Sequence, residues 1–196
     1  MSKKNKAHSD PYKVIEDFFS TAPLEHYRKY ISSMLKAAYS EGYWKKSNPG
    51  SLLFFQELME KLMTGTYLFI NPRKNRIPIK KKAILKDSAI RNEIDPVLYY
   101  GWHHNSAMWE FFPRHLSKKE FLNPYLAIEK FFKAKDLKTW LKDFKELILY
   151  SLSPYGNETG VEFDYLRIHK YLQKLVEAAH LIEARVIRTN HNIVKK

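Results

Sequence analysis

The sequence predicts an all-α protein: a single helical domain of six to seven helices that ends in a long C-terminal helix. Three observations indicate this class. Glycine is scarce, with 6 residues in 196, whereas a chain of many β-turns needs more. Apolar residues make up 44% of the chain and aromatic residues 15%, which is enough material for a buried core. Apolar side chains also recur at spacings of three and four, the period of a helix with one buried face.

The first three helices are marked by their ends. Ser9-Asp10-Pro11 places a capping side chain before a proline, which predicts a helix start there. The second helix is expected from about Pro23 to Gly42. A third, from about Ser51 to Met63, has a wide apolar surface, so we expect it to be central, with Gly65 as its C-cap.

Residues 66–95 interrupt the helical pattern. The stretch Thr66–Ile70 is rich in β-branched and aromatic residues, and Asn71-Pro72 after it signals a turn. We expect an irregular excursion here. It is either a small β-hairpin that pairs Tyr67–Ile70 with Arg76–Lys80 or an extended crossover loop. Pro78 would confine the second strand to an edge of such a hairpin.

Further helices are predicted in the second half of the chain. One begins near Asp95-Pro96 and ends before Pro113. The residues from Ser117 to Glu120 have the spacing of a capping box, which predicts a helix start. Helices then follow over Pro124–Lys133 and from the capping residue Asp136 through Leu152.

The last helix has the most regular apolar pattern in the sequence. Its seam residues alternate spacings of four and three over 26 residues. Such a seam fits either a coiled-coil homodimer or packing along the chain's own bundle. We expect the second, because Val176 beside the seam widens the apolar face. We also expect Leu137–Leu152 to be its antiparallel neighbour, since the connection is short. The seam residues are Val161, Tyr165, Ile168, Leu172, Leu175, Ala179, Ile182 and Val186.

The expected organisation is a basic, disordered tail over residues 1–8, one helical domain over 9–190 and a basic tail over 191–196. The N-terminal tail leads into no apolar segment, and the longest apolar runs are far shorter than a membrane span. The absence of cysteine excludes disulfides and thiolate metal sites, so we expect a cytoplasmic protein. The expected core residues are Phe18, Ile31, Leu35, Phe55, Leu58, Leu62, Trp109, Phe144, Ile168, Leu172 and Leu175.

The positive charge of the chain is concentrated in a few segments. There are 34 lysine and arginine residues against 21 acidic residues, a net charge of +13 at pH 7 with neutral histidines. Residues 73–91 hold eight of these cations and one acid, Asp87, whereas the rest of the helical body is close to neutral. This concentration predicts a site for a polyanion. The candidate nucleic-acid-binding residues are Arg73, Lys74, Arg76, Lys80, Lys81, Lys82, Lys86 and Arg91.

We therefore expect a non-enzymatic binding protein whose partner is DNA or RNA. The signal is electrostatic and carries no sequence specificity, because phosphate contacts position a protein without reading bases. Three alternatives remain: a different anionic partner, a basic loop that only keeps the protein in solution, and a protein-interaction module with no nucleic-acid role.

Three histidines lie in patterns that invite comparison with metal sites. Glu177 and His180 have the spacing of two ligands on one helix face, but a di-iron bundle needs a second such motif, which the sequence lacks. We interpret them as a surface pair on the polar side of the last helix. His103 and His104 lie about 100° apart on a helix and cannot share a metal, so we place them beside an aromatic core. No metal, cofactor or catalytic residue is expected.

Arg185 and His191 are separated by five residues at the end of the last helix. The arrangement resembles the short Arg…His motif of HEPN-type helical ribonucleases and toxin components, in which dimerisation brings two such motifs together to cleave RNA. The resemblance covers seven residues and the all-α character. It implies a helical ribonuclease that uses Arg185 and His191. His103 or Glu110 is an alternative catalytic centre that is unrelated to this motif.

Overall fold

A computed structural model of the chain describes residues 10–40, 43–70, 76–79, 112–153 and 164–187. Within these ranges the protein has seven α-helices and no strand, which confirms the all-α class. A 3₁₀ turn over Leu68–Ile70 extends the third helix, and a π-helical turn over Glu183–Ile187 extends the last. Most of the predicted helix between residues 95 and 113, and both tails, lie outside the described residues. The helices are α1 (Pro11–Thr21), α2 (Leu24–Tyr39), α3 (Pro49–Tyr67), α4 (Lys118–Leu122), α5 (Tyr125–Ala134), α6 (Leu137–Leu152) and α7 (Tyr165–Ile182).

The starts of α1, α4 and α6 confirm the predicted capping signals. The carboxylate of Asp10 accepts a hydrogen bond from the backbone N–H two residues later, at 3.0 Å. Asp136 accepts one from the N–H three residues later, at 2.9 Å. Ser117 and Glu120 form the predicted capping box, with each side chain bonded to the other's backbone N–H at 3.3 and 2.8 Å. These helices begin where a nearby side chain satisfies an otherwise unpaired donor.

The helices α2 and α3 share the middle of the bundle, so the prediction that α3 would be central is confirmed for its buried side, which packs against α1, α5 and α6. Both α6 and α7 pack along α2, which is buried on most of its circumference. In α3, by contrast, Leu53 and Phe54 remain 46% and 52% exposed. The prediction that α6 would be the main neighbour of α7 is wrong, because both helices pack chiefly along α2 and meet each other at Trp140 and Tyr171, whose ring centres are 5.8 Å apart.

The seam of α7 faces the interior of its own chain, as predicted. It packs against α2, α5 and α1, so these side chains are already covered and are not available to a coiled-coil partner. The predicted core is confirmed for nine residues, whereas Leu58 is only half-buried and Trp109 lies outside the described residues. The buried seam residues are Ile168, Leu172, Leu175, Ala179, Ile182 and Val186.

The predicted β-hairpin is wrong at its first strand, because residues 66–70 continue α3 and its 3₁₀ turn. Thr66 is β-branched, but it is fully buried and its hydroxyl donates to the carbonyl of Leu62 inside the helix, at 2.7 Å. Phe69 is fully buried, with its ring against those of Tyr12 and Tyr125. Tertiary packing thus outweighs the β propensity of these side chains. Residues 76–79 pair with no strand in the part of the chain that the structure describes.

Gly65 lies inside α3 and is not its C-cap. A β-carbon at this position would lie 2.7 Å from Cγ1 of Val14 in α1, closer than two carbons normally approach. Glycine is therefore the residue that lets α1 and α3 pack at this distance.

Replacing Gly65 with alanine is expected to destabilise the protein by about 1–3 kcal/mol through overpacking. The same change in an open helix interior would stabilise it by about 1 kcal/mol. A second change, Val14→Ala, should recover part of the loss, because it removes the two methyl groups but leaves the β-carbon of residue 14 at 2.9 Å. Urea unfolding of the single and double variants measures this coupling; losses that simply add would contradict it.

Candidate functional site

Of the eight predicted nucleic-acid-binding residues, the described ranges contain Arg76 alone. Its side chain is 16% exposed and turns toward the bundle. Nη1 pairs with Oε1 of Glu129 at 2.6 Å, Nε donates to the carbonyl of Phe69 at 2.7 Å, and the guanidinium lies 5.3 Å from the ring centre of Tyr125. Arg76 is thus a structural residue. For the other seven residues, which lie outside the described ranges, nucleic-acid binding stays a prediction.

Two tyrosines attach the next residue, Ile77, to the helices. The backbone N–H of Ile77 donates to the hydroxyl of Tyr12 at 2.5 Å, and the hydroxyl of Tyr125 donates to the Ile77 carbonyl at 3.2 Å. The two hydroxyls are themselves 2.9 Å apart. Burial raises the pKa of Tyr125 well above its usual value, so the phenol keeps the proton that it donates. We call Arg76–Ile79 the anchor segment, since it fixes this part of the chain to α1 and α5.

A second polar site, which we call the Glu177 cluster, joins α2, α7 and residues 112–115. Glu177 is fully buried. Its Oε1 accepts hydrogen bonds from Nη2 and Nε of Arg28, at 2.6 and 3.2 Å, and from the N–H of Arg114 at 2.9 Å. Its Oε2 accepts from the N–H of His115 at 2.8 Å, while Arg28 also donates to the carbonyl of Phe112.

The Glu177 cluster contains a buried ion pair. Burial alone would raise the pKa of Glu177, but hydrogen bonds from His115 and the Arg114 backbone, together with the charge of Arg28, lower it below its usual value. The carboxylate is therefore ionised at neutral pH beside an arginine whose side chain is only 5% exposed. A buried carboxylate needs such donors, because an unpaired charge in this environment is costly.

Two histidines lie at the edge of the Glu177 cluster. Nδ1 of His115 is 2.9 Å from Oε1 of Glu177, and its side chain is 30% exposed. The ring centre of His169 lies 5.9 Å from that of His115, and Nε2 of His169 is 3.0 Å from the hydroxyl of Ser32. A carboxylate that orients a partly exposed imidazole is chemically competent for proton transfer. Here the same contacts bind residues 112–115 to the bundle, so their observed role is structural.

The interpretation of Glu177 and His180 as a surface pair is wrong. His180 is buried, with Nδ1 at 3.7 Å from Oε2 of Glu183 and its ring against that of Phe19. Nearly every residue of α7 from Leu172 onward is buried, so its polar side contacts other parts of the protein instead of water. Within the described ranges, no group of three or more histidines and acidic residues could hold a metal ion.

The described half of the Arg…His motif is also turned inward. The guanidinium of Arg185 lies 4.5 Å from the ring centre of Phe121 and donates to the carbonyl of that residue. His191 lies outside the described residues, as do His103, His104 and Glu110. A catalytic role for any of these residues stays a prediction.

Comparison with known proteins returned no match: no family model, no curated protein and no solved structure matches the chain. Across the described ranges, no helix is long and apolar enough to cross a membrane.

Proposed function

We propose that the protein is a non-enzymatic nucleic-acid-binding protein whose main contact is the basic segment Arg73–Arg91. The observation that carries the proposal is the charge distribution, with eight cations and one acid in this segment against a nearly neutral remainder of the helical body. Lysine and arginine side chains bind phosphates by releasing condensed counterions, which gives strong binding at low salt and steep weakening as salt rises.

The anchor segment supports this proposal. The guanidinium of Arg76 is paired with Glu129, so it attaches the basic segment to the helical body. We therefore do not propose Arg76 as a phosphate contact. Lys80, Lys81 and Lys82 follow the anchor segment directly in the sequence. The anchor segment itself is bonded to α1 and α5.

The described helices add to the attraction of a polyanion. The seven α-helices contain 15 lysine and arginine residues against 10 acidic residues. On α6, Lys138, Lys142 and Lys145 are exposed at helical spacing and form a basic row. A distributed positive surface of this kind raises the association rate of charged partners without specifying where they dock. This row also offers a charge-matched control for the basic segment.

Replacing Lys80, Lys81 and Lys82 together with glutamine should weaken nucleic-acid binding and reduce its salt dependence. Each lost phosphate contact should lower the slope of log affinity against log salt by about 0.7 for single strands and about 0.9 for duplex DNA. The control is the triple change of Lys138, Lys142 and Lys145 to glutamine, which removes the same charge from α6. Fluorescence anisotropy with labelled single-stranded and duplex oligonucleotides over a salt series measures both variants.

Two outcomes would overturn the proposal. One is an unaltered protein that binds neither DNA nor RNA at low salt. The other is an equal loss of affinity in the two triple variants, which would mean that net charge alone is responsible and that the basic segment is not a docking site.

A further inference from the structure

A cleft of about 660 Å³ opens between the first halves of α2 and α3. The aromatic rings of Tyr27, Tyr30 and Phe55 lie buried along it, and Phe54 remains 52% exposed at its wall. This volume is in the range of sites that bind small molecules or single residues of a polymer. An aromatic ring that keeps half of its surface in water beside a cleft can gain contact area from a flat ligand.

The edge of the cleft is basic. The imidazole of His26 stacks on the ring of Tyr30, with centroids 4.5 Å apart, and Nζ of Lys46 lies 4.8 Å from the centre of the same ring. Lys29, the second cation here, is 3.8 Å from Glu25. Lys46 has no acidic partner among the described residues.

The positive charges at this edge also disfavour protonation of His26 and Lys46. Burial, then the charges of Lys46 and Lys29, lowers the pKa of His26, and burial followed by Lys29 lowers the pKa of Lys46. A bound anion would relieve this repulsion. The linker between α2 and α3 continues the combination of aromatic and basic groups, because Nζ of Lys45 lies 4.8 Å from the ring centre of the exposed Tyr43.

From this geometry we infer that the cleft binds an unpaired nucleotide of a single-stranded nucleic acid, with the base against Phe54 and the phosphate beside Lys46. The inference rests on the proposed function and names its substrate class. Exposed aromatic rings next to cations are the elements that hold single strands, since every base has a face that can stack. The bases of a duplex are stacked on one another and cannot enter such a cleft.

The test uses the full chain and labelled single-stranded oligonucleotides of DNA and of RNA, with a duplex of equal length. Phe54→Ala should weaken single-strand binding by about tenfold, within the range of loss for one stacking contact, and change duplex binding less than about twofold. Lys46→Gln should weaken single-strand binding and lower its salt slope by about 0.7. The matched controls are Leu149→Ala, an apolar side chain 54% exposed on α6, and Lys138→Gln. Leu149→Ala should bind as the unaltered protein does, and Lys138→Gln should weaken single-strand and duplex binding equally and by less than Lys46→Gln weakens single-strand binding.

The outcomes separate this inference from the proposed function. Single-strand binding that is unchanged in Phe54→Ala and Lys46→Gln but reduced by the triple change at Lys80–Lys82 would overturn the cleft and leave the proposed function standing. Equal losses on single strands and duplex would also overturn the cleft. No binding to any oligonucleotide would overturn both. If Phe54→Ala fails to fold by circular dichroism, Phe54→Leu and Lys46→Gln decide the result.

Discussion

Replacing Glu177 with glutamine is expected to destabilise the protein by about 3–5 kcal/mol, the usual cost of breaking a buried ion pair on one side. The variant keeps the shape of the side chain but leaves Arg28, whose side chain is 5% exposed, with the more distant carboxylate of Glu25, 3.4 Å from Nη1, in place of the one at 2.6 Å. It also weakens the bonds that the N–H groups of Arg114 and His115 donate to Glu177. Urea unfolding followed by circular dichroism at neutral pH measures the loss.

The matched control for this prediction is Glu146→Gln on α6. Glu146 is paired with Lys142 at 3.7 Å on the surface, so its replacement should change the free energy of unfolding by less than about 1 kcal/mol. The double change Arg28→Met with Glu177→Leu should be more stable than Glu177→Gln, because it removes both buried charges. A loss below about 1 kcal/mol in Glu177→Gln would contradict the buried ion pair.

The second expected result is a loss of stability in acid that depends on Glu120. This carboxylate is fully buried and accepts hydrogen bonds from Nζ of Lys130 at 2.8 Å and from Nζ of Lys174 at 2.7 Å. Burial alone would raise the pKa of Glu120. The bonds from the two lysines and from Ser117 outweigh it and lower the pKa to about 2.

The pKa of Glu120 in the folded protein is thus below its usual value of 4.5, which applies to the unfolded chain. Its contribution to stability is therefore complete above about pH 4.5 and is lost as the pH falls toward 2, by at most about 3 kcal/mol. Glu120→Gln should be less stable than the unaltered protein at neutral pH, with a smaller change in acid. Urea unfolding across this pH range measures the difference.

Glu146→Gln serves as the control here also, and it should retain the acid dependence of the unaltered protein. If Glu120→Gln lost as much stability in acid as the unaltered protein does, the carboxylate of Glu120 would not be the group responsible. The prediction about the Lys130 and Lys174 contacts would then be wrong.

The helix starts could be predicted because they depend on residues close together in the sequence. Each capping side chain accepts a hydrogen bond from a backbone N–H two or three residues later, as Asp10, Ser117 and Asp136 do. The residue types at these positions therefore predict the helix starts. The seam of α7 was predictable for a related reason. A repeat of three and four residues places apolar side chains on one face, whatever covers that face.

The Glu177 cluster was not predicted, although α2 contains a signal for it. The polar residues opposite the seam of α7 are Gln173, Glu177 and His180. A polar face that contacts water has the same sequence pattern as a polar face that contacts another helix. The informative residue was Arg28, which sits four residues after Leu24 and three before Ile31, on the apolar face of α2. An arginine on a face that becomes buried requires an acidic partner. The sequence offers Glu25 three residues before it, at 3.4 Å in the structure, and does not indicate that Glu177 is the closer partner.

The sequence by itself determined the all-α class, the helix caps, the apolar seam of α7 and the concentration of charge in residues 73–91. Only the tertiary structure decided that α6 and α7 both pack along α2, that residues 66–70 extend α3 and that Arg28 pairs with Glu177, 149 positions along the chain. The physical reason is the range of the interactions. Caps and helical faces depend on neighbours within one or two turns, whereas burial depends on which distant surfaces meet. Burial in turn determines which basic and acidic side chains have a structural role.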